Sequence, residues 1–242
     1  MPRRNVTIST LTCLIILAIA CSALAQQRAQ APAAQEGQRG QRAAAPRVTR
    51  SPLFFKEEWK QTPAGGEHPV DVAQALSNAN LELKLYGPTG KEILMTGSAS
   101  DENNPIHLWT GMCTTPCAFT LRDKNNFADL TGLARINMVT KTSGFHKVNP
   151  IVKLADGTML IGDKFEGSTV DWLESDIALS EMRWRKLDPE RIVTVGDWMT
   201  NVNLSKVDEI GFADLMPGSG HGQGGWSDVA RIEVYAKPVK RE

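Results

Sequence analysis

The sequence predicts an all-β fold, a two-sheet β-sandwich of the jelly-roll type with few short helices. Three observations predict it. Short runs rich in β-forming residues recur from Leu53 onward, several of them alternate apolar and polar residues, and clusters of Gly, Pro, Asn and Asp separate them. Alternation is clearest in Leu81–Leu85 and Ile232–Tyr235. No repeat of 20–50 residues is sustained, which excludes propellers and solenoids.

Each predicted strand is a run of four to eight residues that ends at turn-forming residues. In chain order they are Leu81–Tyr86, Glu92–Thr96, Ile106–Thr110, Ala118–Arg122, Ala134–Thr140, Ile151–Leu154, Thr158–Ile161, Met182–Leu187, Arg191–Val195, Glu209–Ala213 and Val229–Ala236. Ala155–Thr158 (Ala-Asp-Gly-Thr), between two apolar runs, predicts a hairpin. Only Val70–Leu76 and Ser205–Asp208 are predicted to be helical.

The first 25 residues have the three parts of a secretory signal. A basic start is followed by an apolar run of about ten residues, too short to span a bilayer, and Ala23-Leu24-Ala25 is a small-x-small cleavage site. We therefore expect export to the periplasm or the extracellular space, with cleavage after Ala25 and no membrane span in the mature chain. The alternative is a lipoprotein anchored at Cys21, although Ala18 stands where that motif has a large aliphatic residue.

Residues 26–50 are rich in Gln, Ala and Arg and have almost no large apolar side chain, which predicts a disordered linker. An arginine arm that touches acidic polymer is the alternative. Seven of the 27 basic residues and one of the 27 acidic residues precede residue 51, so residues 51–242 carry a net charge of −6. That charge argues against nucleic acid as a partner. Because no linker-like stretch interrupts residues 51–242, we predict a single sandwich domain there.

Cys113 and Cys117 remain after signal removal, and export places them in an oxidising compartment. The sequence Cys-Thr-Thr-Pro-Cys predicts a disulfide that closes a tight loop. Half of a metal site is the other interpretation, but no second pair of ligands completes a tetrahedral set.

Four segments between residues 127 and 235 resemble galactose-binding-like jelly rolls and carbohydrate-binding modules in their order and pattern. They are Phe127–Ile136, Trp172–Trp184, Asn203–Phe212 and Trp226–Tyr235. Leu53–Trp59 is similar to the opening strand of lectin/glucanase-type sandwiches, a different family. Either resemblance implies a carbohydrate context without fixing an activity. The galactose-binding-like resemblance also implies a structural calcium ion near the chain ends, with Asp228 and Glu233 as weak candidate ligands. Solvent-facing acids on an edge strand are the alternative.

Six tryptophans against two tyrosines suggest aromatic platforms for sugar rings. Trp59 and Trp184 alternate with charged residues and are predicted to lie in the core. Trp109, Trp172 and Trp226 remain open between core and ligand. The glycine-rich segment 216–226 contains His221, Gln223 and Trp226, which fit either a ligand-binding loop or a flexible hairpin. His107, beside Trp109, is a further ligand-binding candidate, although a structurally bonded histidine is the plainer interpretation.

Glycoside hydrolysis needs two carboxylates, and Glu174 and Asp176 would share one face of a strand. The next glutamate, Glu181, comes two or three positions too late for the glucanase motif. No other catalytic motif is present, so the sequence leaves enzymatic activity uncertain and favours its absence. The leading hypothesis is an exported, non-catalytic carbohydrate-binding module without a required cofactor, whose partner is a polysaccharide or glycan. The alternatives are a glycan-active hydrolase or lyase with Glu174 and Asp176 as acid and base, and a structural envelope domain.

Overall fold

The computed structural model describes residues 49–62, 65–169 and 171–241. The predicted signal peptide and almost all of the predicted linker lie outside the described residues. Within them the regular structure consists of β-strands and two single 3-10 turns, Gly90–Glu92 and Leu179–Glu181. The strands are β1 Leu53–Glu57, β2 His68–Pro69, β3 Leu81–Tyr86, β4 Leu94–Thr96, β5 His107–Trp109, β6 Cys117–Asp123, β7 Asn126–Asp129, β8 Arg135–Thr142, β9 Asn149–Leu154, β10 Met159–Gly162, β11 Leu173–Ala178, β12 Trp184–Asp188, β13 Val193–Met199, β14 Val207–Asp214, β15 Ser227–Tyr235 and β16 Lys237–Lys240.

The strands form two antiparallel sheets. In the first sheet the order is β11-β8-β15-β5-β4-β2, and β1 also pairs with β15. In the second sheet the order is β13-β12-β10-β9-β14-β6-β3, and β7 joins it by pairing with both β14 and β16. Neighbouring strands in space are often distant in sequence, as in a sandwich built by crossovers between its sheets.

The core lies between the two sheets. Ile136, Met138 and Ile232 from the first sheet are buried in one cluster with Phe119 and Ile210 from the second. In β8 of the first sheet, polar residues alternate with these apolar ones, as the period of two residues requires. In the second sheet, the residues that alternate with core residues form a second buried apolar cluster, which includes Ala118, Ile151, Met159 and Ile161. Trp59 and Trp184 belong to this core, which confirms their predicted place. The predicted all-β sandwich is confirmed.

The predicted hairpin is also confirmed. Strands β9 and β10 pair across Asp156-Gly157, where Gly157 has φ +88° and the Asp156 side chain accepts a hydrogen bond from the Thr158 N–H. The two predicted helices are wrong. Residues 70–76 form turns, and Ser205–Asp208 leads from a bend into β14. Both segments are too short to form a stable helix without a packed partner.

Strands from residues 51–126 lie in both sheets beside strands from residues 127–241. For example, β1 pairs with β15 in the first sheet, and β6 pairs with β14 in the second. The described residues belong to one compact unit. Among these residues, no helix has the length and hydropathy that a crossing of the bilayer requires.

Candidate functional site

A cleft of about 240 Å³ opens on the outer face of the first sheet. Its floor begins on β5, where Leu108 is 1% exposed and belongs to the core, so that His107 and Trp109 point to the opposite face. The strand register then places two charged residues beside them. Asp228 of β15 lies opposite Trp109, and Lys141 of β8 lies opposite Asp228. Residues directly opposite in an antiparallel pair share one face, which gathers these side chains.

Loops complete the walls of the cleft. The full set of lining residues is Glu67, Thr96, Asn104, His107, Trp109, Lys141, Trp172, His221, Trp226 and Asp228. These residues come from seven separate parts of the chain, so only the folded protein brings them together.

Aromatic rings contact one another within the cleft. The Trp172 ring meets His107 edge-on with 5.0 Å between ring centroids, and the Trp109 ring lies 4.9 Å from that of His221. The Trp172 indole N–H donates to the Asn103 carbonyl, which fixes the orientation of the ring. Trp109 is buried beneath His221, whereas Trp172 and Trp226 are half-buried and keep accessible ring surface.

The glycine-rich loop between β14 and β15 is held by the turn that follows β5. The Gly218 N–H donates to the Cys113 carbonyl and the Gly220 N–H donates to the Gly111 carbonyl, at 2.7 and 2.8 Å. Cys113 and Cys117 form the predicted disulfide within this turn. Gly111 has no room for a side chain, because a Cβ atom there would overlap the Trp109 indole. The loop is therefore anchored at its first half, and the disulfide turn positions it.

A buried polar network supports the same region from below. Asp214, at the end of β14, accepts hydrogen bonds from the Thr110 hydroxyl and the His146 ring nitrogen, both at 2.7 Å. The Thr110 hydroxyl in turn accepts from the Ser227 N–H at 3.0 Å. These bonds link the end of β14 in the second sheet to the ends of β5 and β15, two strands that line the cleft.

Asp228 and His107 give the cleft its electrostatic character. Asp228 is 4% exposed, and this burial raises the pKa of its carboxyl to about 7 against the opposing effects of Lys141 and Trp226. Burial lowers the pKa of His107, although its hydrogen bond to the Pro105 carbonyl opposes the shift. The His107 Nε2 atom lies 3.7 Å from the Asp228 Oδ1 atom. Near neutral pH the Asp228 carboxyl therefore lies close to its pKa, whereas the lowered pKa of His107 keeps that ring neutral.

Five of the six ligand-binding residues predicted from sequence line this cleft. They are His107, Trp109, Trp172, His221 and Trp226. Gln223 is exposed on the outer part of the glycine-rich loop and is not among the lining residues. The loop does not act alone, because β5, β8 and β15 contribute as much of the lining.

The predicted acid and base lie elsewhere. Glu174 and Asp176 are exposed on the edge strand β11, outside the cleft. Glu174 accepts from the Asn137 amide at 3.1 Å and pairs with Arg231 at 2.8 Å, and these contacts lower the pKa of its carboxyl. Asp176 pairs with Arg135 at 3.1 Å. A general acid needs a raised pKa, so the lowered pKa of Glu174 argues against that role.

Asp228 and Glu233 do not form one ligand set. They lie five residues apart on β15, which corresponds to roughly 16 Å along a strand. Glu233 instead accepts from the Tyr235 hydroxyl at 2.7 Å and faces Lys56 and Arg231. Within the described ranges no group of three or more His, Cys, Asp or Glu side chains is arranged to hold a metal ion. The calcium ion implied by the resemblance stays a prediction without a ligand set.

Lys141 and Glu67 are the charged cleft residues that sequence reasoning did not single out. The alternation in β8 indicates that Lys141 faces away from the core, because Thr140 and Thr142 on either side are buried. Which strands flank β8 is a matter of topology, however, and no local pattern reveals that Lys141 lies next to Asp228.

Comparisons with known proteins give no relative by sequence, since no family model and no curated protein matches the chain. Solved structures give likenesses of architecture. A family 11 carbohydrate-binding module from Clostridium thermocellum, in complex with a β-1,3-1,4-mixed-linked tetrasaccharide, is 14% identical with a TM-score of 0.42, over 73% of this chain and 99% of that one.

Two further modules are similar at the same level. A family 29 carbohydrate-binding module complexed with cellulohexaose is 10% identical with a TM-score of 0.37, over 70% of this chain and 91% of that one. The xylan-binding module of family 15 is 13% identical with a TM-score of 0.36, over 72% and 99% of the two chains. The resemblance to carbohydrate-binding jelly rolls thus recurs among solved structures. With TM-scores below 0.5, it says nothing of what this chain binds.

Proposed function

We propose that this protein binds a saccharide in the cleft on the outer face of the first sheet and does not itself break or form bonds. One observation carries the proposal: Trp109, Trp172 and Trp226 converge in one cleft with hydrogen-bonding side chains between them. Indole rings pack on the C–H faces of sugars, and the surrounding polar groups orient the hydroxyls. The half-buried rings of Trp172 and Trp226 supply the stacking surface, while the Trp109 and His221 rings contact each other at the floor with their planes tilted by 35°.

The size of the cleft suits part of a glycan chain. About 240 Å³ lies somewhat below the range of roughly 300–1,000 Å³ that is usual for small-molecule pockets. The cleft is open on the sheet surface and so leaves the rest of a polymer in solvent. A polysaccharide or glycan is therefore the proposed partner, held through one or two units.

The test is a glycan array with the purified protein, followed by titration of each hit while tryptophan fluorescence is recorded. Trp172→Ala and Trp226→Ala should each raise Kd at least tenfold, about 1.4 kcal/mol, because each removes a stacking surface. Trp198→Ala is the matched control, since Trp198 is 41% exposed on β13 of the other sheet and does not line the cleft. Its Kd should stay within about twofold of the unaltered protein.

Two results would overturn the proposal. Equal loss of affinity in Trp198→Ala and Trp172→Ala would place binding elsewhere. If the folded protein binds no saccharide, the proposal fails and the structural envelope role remains.

Catalysis is the second candidate function, and the pKa of about 7 for Asp228 favours it, because a general acid needs that property. Glu67 is the other carboxylate that lines the cleft. Incubating each bound saccharide with the protein and separating the products decides between the two functions. Shortened or unsaturated products that disappear in Asp228→Asn would establish the enzyme.

We also propose that the chain is exported, with Met1–Ala25 removed as a signal peptide. The Cys113–Cys117 disulfide supports this, because disulfides persist in oxidising compartments. Amino-terminal sequencing of the secreted chain should begin at Gln26. A chain that begins at a lipid-modified Cys21 and partitions into detergent would show lipid anchoring instead.

A further inference from the structure

We infer that His107 and Asp228 together accept hydrogen bonds from two neighbouring hydroxyl groups of one sugar ring, with the Lys141 ammonium donating beside them. This inference rests on the proposed saccharide-binding function and names the part of the saccharide that the cleft selects, a vicinal diol. It follows from the hydrogen-bonding capacity of three side chains that share one face of the first sheet.

The Pro105 carbonyl sets the tautomer of His107. Its Nδ1 atom lies 2.7 Å from the Pro105 carbonyl oxygen, and a carbonyl can only accept, so Nδ1 carries the hydrogen. Burial lowers the pKa of the ring and keeps it neutral. The Nε2 atom of a neutral ring with hydrogen on Nδ1 presents a lone pair. His107 therefore offers an acceptor to the cleft.

The Asp228 carboxyl has one oxygen without a hydrogen-bond donor among the described residues. Its Oδ1 atom lies 3.7 Å from that Nε2 lone pair, and no described residue donates a hydrogen bond to it, although the side chain is 94% buried. Above about pH 7, where Asp228 is ionised, two acceptors thus face each other without a donor between them. Buried acceptors without donors are rare in folded proteins, and at the wall of a cleft they indicate where a ligand donor belongs.

Lys141 lies directly across the strand pair from Asp228. Its Nζ atom lies 5.9 Å from the Trp172 ring centre, and among the described residues no carboxylate lies within 4 Å of it. An ammonium group only donates. The cleft therefore combines two acceptors with one donor, and a hydroxyl group can donate and accept at once.

This combination argues for hydroxyls over an acidic group on the ligand. A ligand carboxylate would satisfy Lys141 but would leave the acceptors of His107 and Asp228 unpaired and would be repelled by Asp228. The other charged lining residue, Glu67, already faces His221 at 3.3 Å. A diol satisfies both acceptors and takes a hydrogen bond from the ammonium.

Ligand binding should therefore expel a proton. In the empty cleft Asp228 keeps its proton up to about pH 7, whereas hydroxyl donors favour the ionised carboxylate. The groups around it are Lys141 on β8, His107 on β5, Trp226 in the loop and the Glu67–His221 pair at the rim. Of these, Lys141 and Trp226 act on the charge of Asp228 most directly.

The experiment uses a saccharide that has already bound on the array. Isothermal titration at pH 6 in two buffers of different ionisation enthalpy should show release of up to one proton per ligand, and Kd should rise by up to about tenfold for each pH unit below 7. In Asp228→Asn, Kd at pH 8 should rise at least tenfold and its pH dependence over this range should flatten. Glu102→Gln is the control, because Glu102 is exposed and outside the cleft.

Deoxy derivatives of the same saccharide locate the hydroxyls, and their binding to the unaltered protein does not depend on any variant folding. Removing either of two adjacent hydroxyls should weaken binding to the unaltered protein at least tenfold. In Asp228→Asn, removing the hydroxyl that donates to Asp228 should change binding by less than threefold, because only that hydroxyl has lost its acceptor. Proton-independent binding, or equal sensitivity of both proteins to every deoxy position, would overturn the inference while the proposed function stands. A blank array would overturn the proposed function itself.

Discussion

His107 and Asp228, on the neighbouring strands β5 and β15, are both buried, and the Asp228 Oδ1 atom has no hydrogen-bond donor in the part of the chain that the structure describes. Other buried acids in the described chain have clear partners. Asp214 bonds to Thr110 and His146, and Glu209 is paired with Lys84 at 2.6 Å. Asp228 interacts with Lys141 and Trp226, but its Oδ1 atom has no hydrogen-bond donor among the described residues. A group kept under such conditions lowers stability at some pH values, so the pH profile of stability reports on it.

We predict that Asp228→Asn stabilises the folded protein at pH 8 and leaves it nearly unchanged at pH 4. The folded-state pKa of about 7 lies above the ordinary value of 3.8. Folding therefore takes up a proton between these pH values, and the stabilising effect of the protonated carboxyl is lost as the pH rises through about 7. At about 1.4 kcal/mol per unit, the difference is on the order of 4 kcal/mol at most.

Urea unfolding of the variant and the unaltered protein at pH 4, 6 and 8 measures this difference. The lowered pKa of His107 acts in the opposite direction, because a neutral buried ring gains stability as the pH rises through its ordinary value of 6.5. Subtracting the two profiles removes this common effect. Glu102→Gln should show no such pH trend, and a variant that is less stable at pH 8 would contradict the prediction.

At the scale of elements, the disulfide turn after β5 is the part that organises the cleft. It carries Gly111 beneath the Trp109 ring, and its backbone carbonyls hold the glycine-rich loop that carries His221. The glycines here provide close approach between protein segments more than approach to a ligand. A substitution that disturbs the close packing at this turn should therefore lower both the stability of the protein and its affinity for saccharide.

We predict that Gly111→Ala lowers stability by about 1–3 kcal/mol and weakens saccharide binding, because the added methyl group must displace the Trp109 indole. Thermal unfolding and fluorescence titration measure the two effects. Gly167→Ala is the matched control, since a Cβ atom there would meet only Phe165 at 3.8 Å. Comparable losses in both variants would show that the effect belongs to alanine substitution in general.

The sequence predicts individual strands better than it predicts which strands lie next to each other in a sheet. Alternation in β3 and in the second half of β15 assigns the core face correctly, because the period of two residues is local. The edge strands β11 and β16 are not predicted. All but one residue of β11 is at least partly exposed, and β16 contains Pro238, so neither shows a buried apolar face. Cross-strand partners such as Asp228 and Lys141 depend on sheet order, which no segment of the sequence encodes by itself.

The residues of the site differ in the same way: their types are visible in the sequence, but their positions depend on sheet order. The tryptophans and histidines that line the cleft are rare, chemically distinctive residues, and their types alone suggest a carbohydrate site. Glu174 and Asp176 have the right type and spacing, but their strand lies at the sheet edge, where Arg231 and Arg135 neutralise them. Spacing on one strand therefore says little about a cleft until the neighbouring strands are known.

At the scale of the whole molecule, strands from the two ends of the described chain lie side by side in the sheets. Strand β1 pairs with β15, and β3 and β6 extend the sheet that contains β9, β10 and β14. The cleft itself needs Thr96 and Trp109 from the first half of the chain and Lys141 and Asp228 from the second. Neither residues 51–126 nor residues 127–241 can bury their half of the core without the other.

We predict that residues 51–241 unfold in a single cooperative transition. Core side chains from both sheets form one cluster, so that loss of one sheet exposes the apolar face of the other. Calorimetric and van't Hoff enthalpies should agree, and the transitions followed by far-UV circular dichroism and by tryptophan fluorescence should coincide. The fluorescence signal reports on the interior as well as the cleft, because Trp59 and Trp184 are buried in the core.

Reduction of the disulfide is the informative perturbation of this transition. The Cys113–Cys117 bridge closes a loop of only a few residues, so its loss should lower the midpoint temperature modestly without splitting the transition. Saccharide should raise the midpoint of the oxidised protein more than that of the reduced one, because the loop that carries His221 is held by the disulfide turn. Two separate transitions in the oxidised protein would show that the halves fold independently and that the cleft forms only when they dock.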